Sequence, residues 1–310
     1  MSRQQREALD ALLRSAPRPE TPPTPEEQRT GFALGVGRPA AEGVAVRRTV
    51  LGGRPALELE PADAADDHGR LLYLHGGGYL VGSPDTHAGL IGELARRAGL
   101  RAISPDYRLA PEHPFPAAVD DGLAAYRELL ESGTDPRSLV LAGDSAGGGL
   151  VLATLLAARD AGLPLPAAAV LFSPWTDLTL SGASYRSRKE ADPIFTEDDI
   201  RAYADHYLGA RDRTNPLASP LFADLTGLPP LLLQVGANEL LLDDAVRLAA
   251  RAAEQDVAVT LEVESGLPHV FQHQFGRLDE ADAALERAAR FLTARLAAAR
   301  LDEADAAPAQ

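Results

Sequence analysis

Residues 139–161 read LVLAGDSAGGGLVLATLLAARDA, and the fold follows from that stretch. Leu139–Ala142 is a short apolar run of the kind that forms a strand buried on both faces. From Ala146 to Ala161 apolar and small residues continue without proline over a helix-length segment. Between the two stands Gly143-Asp144-Ser145-Ala146-Gly147. Glycines on both sides of Ser145 permit a turn tight enough to lift its hydroxyl above the strand end, which makes Ser145 a candidate nucleophile. A glycine-rich turn with a serine capping the helix is the competing reading, and the strand–turn–helix context favours the nucleophile.

Working outward, the same alternation repeats. LLYLH (71–75), RAISP (101–105), AAVLFSP (168–174), PLLLQVG (230–236) and VAVTLEV (257–263) are further short apolar runs that read as buried strands. VAVRRTVL (44–51) and PALELE (55–60) alternate apolar and polar residues, as half-exposed antiparallel strands do. Helical segments fall between them at 86–98, 116–131, 241–255 and 278–300. Strand and helix in turn predict an α/β protein whose mostly parallel, eight-stranded sheet is flanked by helices. Two regions break the rhythm. The first 40 residues read as an amphipathic helix around Gln5–Arg14, a proline-rich connector, and a second helix from Pro25 to about Leu34. Residues 177–218 insert a polar, helical excursion, and long insertions of that kind form lids or binding elements. Residues 301–310 read as a flexible tail.

The 310 residues, 45% of them hydrophobic, fill one large α/β domain. The absence of cysteine excludes disulfides, thiolate metal sites and cysteine nucleophiles. The single lysine, Lys189, follows no glycine-rich loop and has Arg186 where a Ser-x-x-Lys serine would stand, which removes P-loop and Ser–Lys chemistry. With 45 acidic against 30 basic residues the net charge is −15. That field repels phosphate backbones and anionic headgroups, so neither nucleic acid nor a membrane is an expected partner, and neutral or cationic substrates are favoured over acids. No apolar run of about 18 residues occurs and residues 1–28 lack a signal-peptide core, so the cytoplasm is the expected compartment. DAADDH (63–68) reads as a solvated loop rather than a ligand set, and no metal or cofactor is expected.

His75-Gly76-Gly77-Gly78 ends the LLYL run. Acyl transfer needs backbone N–H donors aimed at a developing oxyanion, and successive glycines present their amides without side-chain obstruction. Gly77, Gly78 and Ala146 are the candidate donors. Where a serine stands on such an elbow, its acid and its histidine follow it in chain order. Of the seven histidines only His206, His269 and His273 qualify. His206 lies in the insertion and His273 a turn beyond His269, whereas His269 sits in a loop directly after a strand. The acid should follow PLLLQVG, where Glu239 comes first. Asp243 and Asp244 are rivals one turn further on, and Asp177 is a more distant one.

Taken together, HGGGY, PDYRLAPEHPFPAAVDD (105–121), GDSAGG, E-x-L-x-D (239–243) and PHVFQ (268–272) resemble the bacterial hormone-sensitive lipase family of α/β-hydrolase carboxylesterases. The resemblance runs from about Leu72 to the last helix. It implies a catalytic triad of Ser145, Glu239 and His269 with Gly77, Gly78 and Ala146 as oxyanion donors. Residues 41–176 and 219–300 would form the catalytic domain, and 1–40 with 177–218 a helical cap. The departure is at the acid, where many members read Asp-Pro-Leu and this chain reads Glu239-Leu240-Leu241, as a glutamate subgroup does. The same resemblance gives PDYRLAPEHPFPAA a structural role, with Asp106, Arg108 and Glu112 in an internal polar network. It also implies a homodimer through a sheet-edge strand such as VAVTLEV.

The expected activity is hydrolysis of short- to medium-chain carboxylic esters through an acyl-enzyme, with Tyr73, Tyr79, Phe195 and Tyr203 lining the pocket. Two readings compete. The same triad serves lactones, carbonates or amides, because the pocket and not the triad selects the substrate. From another class, plant gibberellin receptors resemble this family without the working histidine, and His269 argues against that role here.

Overall fold

A computed structural model describes residues 2–16, 23–64 and 69–306. The strands are β1 (Val44–Leu51), β2 (Arg54–Pro61), β3 (Arg70–Leu74), β4 (Arg101–Pro105), β5 (Leu139–Asp144), β6 (Ala168–Phe172), β7 (Leu231–Gly236) and β8 (Val259–Glu264). They form one sheet in the order β1-β2-β4-β3-β5-β6-β7-β8, antiparallel from β1 to β4 and parallel from there on. The helices are α1 (Ser2–Arg14), α2 (Pro25–Val36), α3 (Pro84–Ala98), α4 (Ala117–Glu131), α5 (Ala146–Asp160), α6 (Ser184–Ser187), α7 (Glu197–Leu208), α8 (Leu242–Glu254) and α9 (Asp279–Ala306).

Side-chain alternation along each strand sorts the core into two layers. Leu72 and Leu74 of β3 and Leu139 and Leu141 of β5 join the cluster under α4, α5 and α8. Their neighbours Leu71, Tyr73, Val140 and Ala142 join the cluster under α3 and α9. β5 and β7 are buried along their whole length, which is why their sequences read as unbroken apolar runs. β8 departs from the expectation of a strand buried on both faces. Val263 is 46% exposed, while the strand's place at the sheet edge is the one the family resemblance implied.

The ends of the chain also differ from the sequence reading. α9 continues to Ala306, beyond the expected end at 300, so the segment read as a tail is helical up to there, and 307–310 lie outside the described residues. The proline-rich connector (17–22) and residues 65–68 of DAADDH lie outside them as well. Asp106, Arg108 and Glu112 do not form one network. Arg108 pairs with buried Asp121, while Glu112 reaches out to Arg29 of α2. Among the described residues no helix is long and apolar enough to cross a membrane.

Candidate active site

β5 delivers Ser145 and α5 begins at the next residue, so the serine occupies a left-handed turn with φ +53° and ψ −124°. A non-glycine residue held there costs about 1–3 kcal/mol, and the surrounding backbone pins it. Ser145 N donates to Phe172 O at 2.8 Å, and Trp175 N donates to Ser145 O at 2.9 Å. Gly147 lets α5 approach the end of β3, since a Cβ there would stand 2.1 Å from Leu74 O.

His269 lies in the loop between β8 and α9, and Glu239 follows β7. His269 Nε2 is 2.9 Å from Ser145 Oγ, and His269 Nδ1 is 3.0 Å from Glu239 Oε1. A carboxylate only accepts, so the Nδ1–H tautomer is fixed and Nε2 faces the serine hydroxyl as an acceptor. Burial works against the imidazolium, but the charge and hydrogen bond of Glu239 outweigh it and raise the His269 pKa above its ordinary value. The rival acids are engaged elsewhere. Asp243 accepts from Ser184 N, Asp244 from the N–H groups of Thr176 and Asp177, and Asp177 pairs with Arg247. His206 is exposed on α7.

Two positioning residues went unread in the sequence. Ser173 Oγ donates to Glu239 Oε2 at 2.8 Å and accepts from Val270 N at 3.0 Å, so one hydroxyl ties the acid to the histidine loop. Gly236 N supplies a further donor to Glu239 at 2.9 Å. Asp192 in the insertion accepts from Ile194 N and Phe195 N with one oxygen and from Leu240 N with the other. The signals were slight: a serine just past a strand end, and an aspartate before Pro193.

Ser145 and His269 open into a cavity of about 210 Å³. Its floor includes Gly77, Gly78, Ser145, Trp175 and His269. Its roof comprises Phe32 and Val36 from α2, and Ile194, Phe195, Ile200 and Tyr203 from the insertion. Tyr203 packs directly over Gly78, where a Cβ would meet its ring at 2.6 Å. α1 does not line the cavity. Its Leu9 packs with Leu267 and Phe271 behind the histidine loop. Ala146 is fully buried and is the first residue of α5, where an N–H has no intrahelical acceptor.

Of the four aromatics expected to line the pocket, Phe195 and Tyr203 do. Tyr73 and Tyr79 do not. Strand alternation sends Tyr73 to the α3–α9 face, where its hydroxyl donates to Asp144 Oδ1 at 2.8 Å. Tyr79, at φ +61°, turns into the core and stacks on Tyr207 at 3.8 Å. A larger cleft of about 390 Å³ beside α3 and α9 shares no residue with the site, and its Arg96 and Arg97 already pair with Glu93.

A family model described as the alpha/beta hydrolase fold matches residues 71–273. The chain belongs to this family. This α/β hydrolase is 49% identical over 229 residues to an acetyl-hydrolase of Streptomyces hygroscopicus, covering 74% of this chain and 77% of that one. It is 38% identical to an esterase of Acinetobacter venetianus, over 72% of this chain and 74% of that one. Among solved structures, an esterase from the bacterial hormone-sensitive lipase family superposes with a TM-score of 0.90 at 43% identity, covering 94% of this chain and 98% of that one. The α/β hydrolase is therefore a member of that bacterial family.

Proposed function

We propose that this α/β hydrolase cleaves small carboxylic esters by serine acyl transfer. The observation that carries the reading is the unbroken contact from Ser145 Oγ through His269 to Glu239, with both hydrogen bonds at 2.9–3.0 Å. His269 Nε2 takes the hydroxyl proton as Ser145 attacks the ester carbonyl. The N–H groups of Gly77, Gly78 and Ala146 stabilise the oxyanion, and the imidazolium returns its proton to the leaving alcohol. Water, activated by the same imidazole, then releases the acid. Glu239 keeps its charge throughout and stabilises the imidazolium.

Chain-length preference belongs to the cavity. At about 210 Å³ it is smaller than the roughly 300–1,000 Å³ typical of sites for drug-sized ligands, and its apolar roof offers nothing to a charged acyl group. That supports the short end of the short- to medium-chain range. The acetyl-hydrolase and esterase names of its relatives support the same class, as does a structural relative at 43% identity whose crystal was soaked with p-nitrophenyl butyrate. The test is Ser145→Ala in purified protein. Hydrolysis of p-nitrophenyl butyrate should fall by about 10³-fold or more, and a fluorophosphonate adduct at Ser145 should disappear. A variant that retains wild-type turnover overturns the mechanism.

A further inference from the structure

Asp144 stands beside Ser145 but takes no part in the proton path. Its Oδ1 is occupied by Tyr73 Oη and by Gly76 N at 3.0 Å. Its Oδ2 faces two imidazoles, with His87 Nε2 at 3.4 Å and His273 Nε2 at 3.9 Å. His87 is fully buried, and its Nε2 has no hydrogen-bond partner.

The other nitrogen of His87 explains why. Nδ1 lies 2.8 Å from Thr86 Oγ1 and 3.2 Å from Ser83 O. Thr86 Oγ1 donates its one proton to Ser83 O at 2.8 Å, so the hydrogen in the His87 contact comes from Nδ1. Nε2 then stands 3.4 Å from a carboxylate oxygen with no aligned hydrogen bond between them. Two such acceptors repel unless a cation stands between them. A proton would call for an aligned hydrogen bond, which is not formed, whereas a metal ion takes donors that converge at an angle. Ligands held at about 2.0–2.1 Å around a tetrahedral ion lie about 3.3–3.4 Å apart. His87 Nε2 and Asp144 Oδ2 already stand at that spacing, and His273 Nε2, 3.9 Å from the same oxygen and within 4.8 Å of both, closes on the ion by a shift of its side chain.

We infer that His87, Asp144 and His273 bind a divalent transition-metal ion on the floor of the catalytic cavity, and that this ion switches hydrolysis off. Two imidazoles and one carboxylate suit Zn²⁺, Co²⁺ or Cu²⁺ and not Ca²⁺ or Mg²⁺. Thr86 and Ser83 fix the His87 ring as outer partners of a ligating histidine do. Asp144 and His273 line the cavity and His87 sits behind them, so the ion enters from the substrate side and its open position faces the acyl space. There, a hydrated cation displaces the acyl chain and retains a carboxylate product. The triad itself needs no metal.

The site stands independently of the esterase reading, while the switch rests on it, so the test separates binding from turnover. Full-length enzyme freed of metal with EDTA is titrated with Co²⁺, followed by its visible d–d absorption and by Zn²⁺ competition. Initial rates on p-nitrophenyl butyrate are read against free Zn²⁺. The expected result is one ion per chain, half-inhibition at micromolar Zn²⁺, and recovery on adding EDTA. His87→Gln and His273→Gln should each weaken binding and inhibition at least tenfold, while Glu239→Gln keeps the Co²⁺ spectrum. Thermal melting identifies a variant that does not fold. His273 is on the cavity wall, so its variant keeps the proposal falsifiable if the His87 variant fails to fold. No ion bound by the wild type, binding unchanged in the folded variants, or binding lost in Glu239→Gln overturns the site. Binding without inhibition overturns the switch.

Discussion

Ser145 follows β5 directly, and Glu239 and His269 stand in the short loops after β7 and β8, whereas Phe32, Ile194, Phe195 and Tyr203 hang from helices and turns that no strand carries. The floor of the cavity inherits its geometry from the sheet ladder, in which β5 and β7 are paired on both sides. The roof is held by helix caps and by side chains, with Ile200, Ala204, Tyr207 and Leu208 of α7 packed into the core. Capping boxes at Thr24 and Thr196 start α2 and α7, each capping hydroxyl contributing about 1 kcal/mol. Arg29 ties α2 to Leu80 O and Ala110 O. Under the proposed mechanism the floor holds the reacting groups and the roof only shapes the space above them, so damage to the floor should reduce turnover for every ester, and damage to the roof should change which ester is preferred.

The largest effect short of removing the nucleophile is expected for Glu239→Gln. In the proposed mechanism neutral His269 is the base, so activity is present above its pKa and is lost as pH falls through it. Because that pKa is raised above 6.5, the acid limb of kcat/KM lies above pH 6.5. Without the carboxylate, burial is opposed only by the more distant charges of Asp192 and Asp144, so the pKa falls. The limb should move to lower pH while the plateau drops by about 10²–10⁴-fold. A plateau loss with an unmoved limb would mean that Glu239 orients His269 without charging its environment.

Ser173→Ala comes next. Loss of one hydrogen bond to a charged group is worth about 1.5–3 kcal/mol, which is about 10- to 100-fold in kcat. The loss should be equal for acetate, butyrate and hexanoate esters, because Ser173 touches only the acid and the histidine loop. Unequal losses measured across that panel would place Ser173 with the roof.

The sequence made the floor legible and the roof nearly illegible, for one physical reason. A nucleophile elbow or an oxyanion loop needs particular residues at fixed spacing, so GDSAG and HGGG announce themselves, and Glu239 is found by its place after a strand. A roof needs only apolar bulk. Val36 and Ile200 look like any core residue, and aromatic type was a poor guide, since Tyr73 follows strand alternation to the opposite face and Tyr79 turns away on a left-handed backbone. The misreading of β8 has the same origin: an apolar run states that a strand is partly covered, not that both of its faces are.

Asp192 is where the two regions join, because its carboxylate holds the Ile194–Phe195 turn of the roof and the Leu240 N–H beside the acid. Asp192→Asn turns an NH₂ toward one of those donors and removes a charge that supports the His269 imidazolium. The expected outcome is a loss of about tenfold in kcat/KM together with a changed acyl preference and a small downward move of the acid limb. A rate loss with preference and limb both unchanged would separate floor from roof more sharply than the hydrogen bonds suggest.

The smallest effect isolates the roof. Ile194 lines the cavity and is only half-buried, so truncation to alanine removes less core packing than at buried Ile200. It adds space to the cavity roof and leaves Ser145, His269 and Glu239 in place. One methylene accommodated or refused in an apolar pocket is worth about 1–3 kcal/mol. Ile194→Ala should therefore raise the hexanoate-to-butyrate ratio of kcat/KM by about tenfold, chiefly through KM, while acetate turnover changes least. If all three esters fell together, Ile194 would be supporting the floor through the Asp192 turn, and the division between rigid chemistry and adjustable selectivity would fail at that residue.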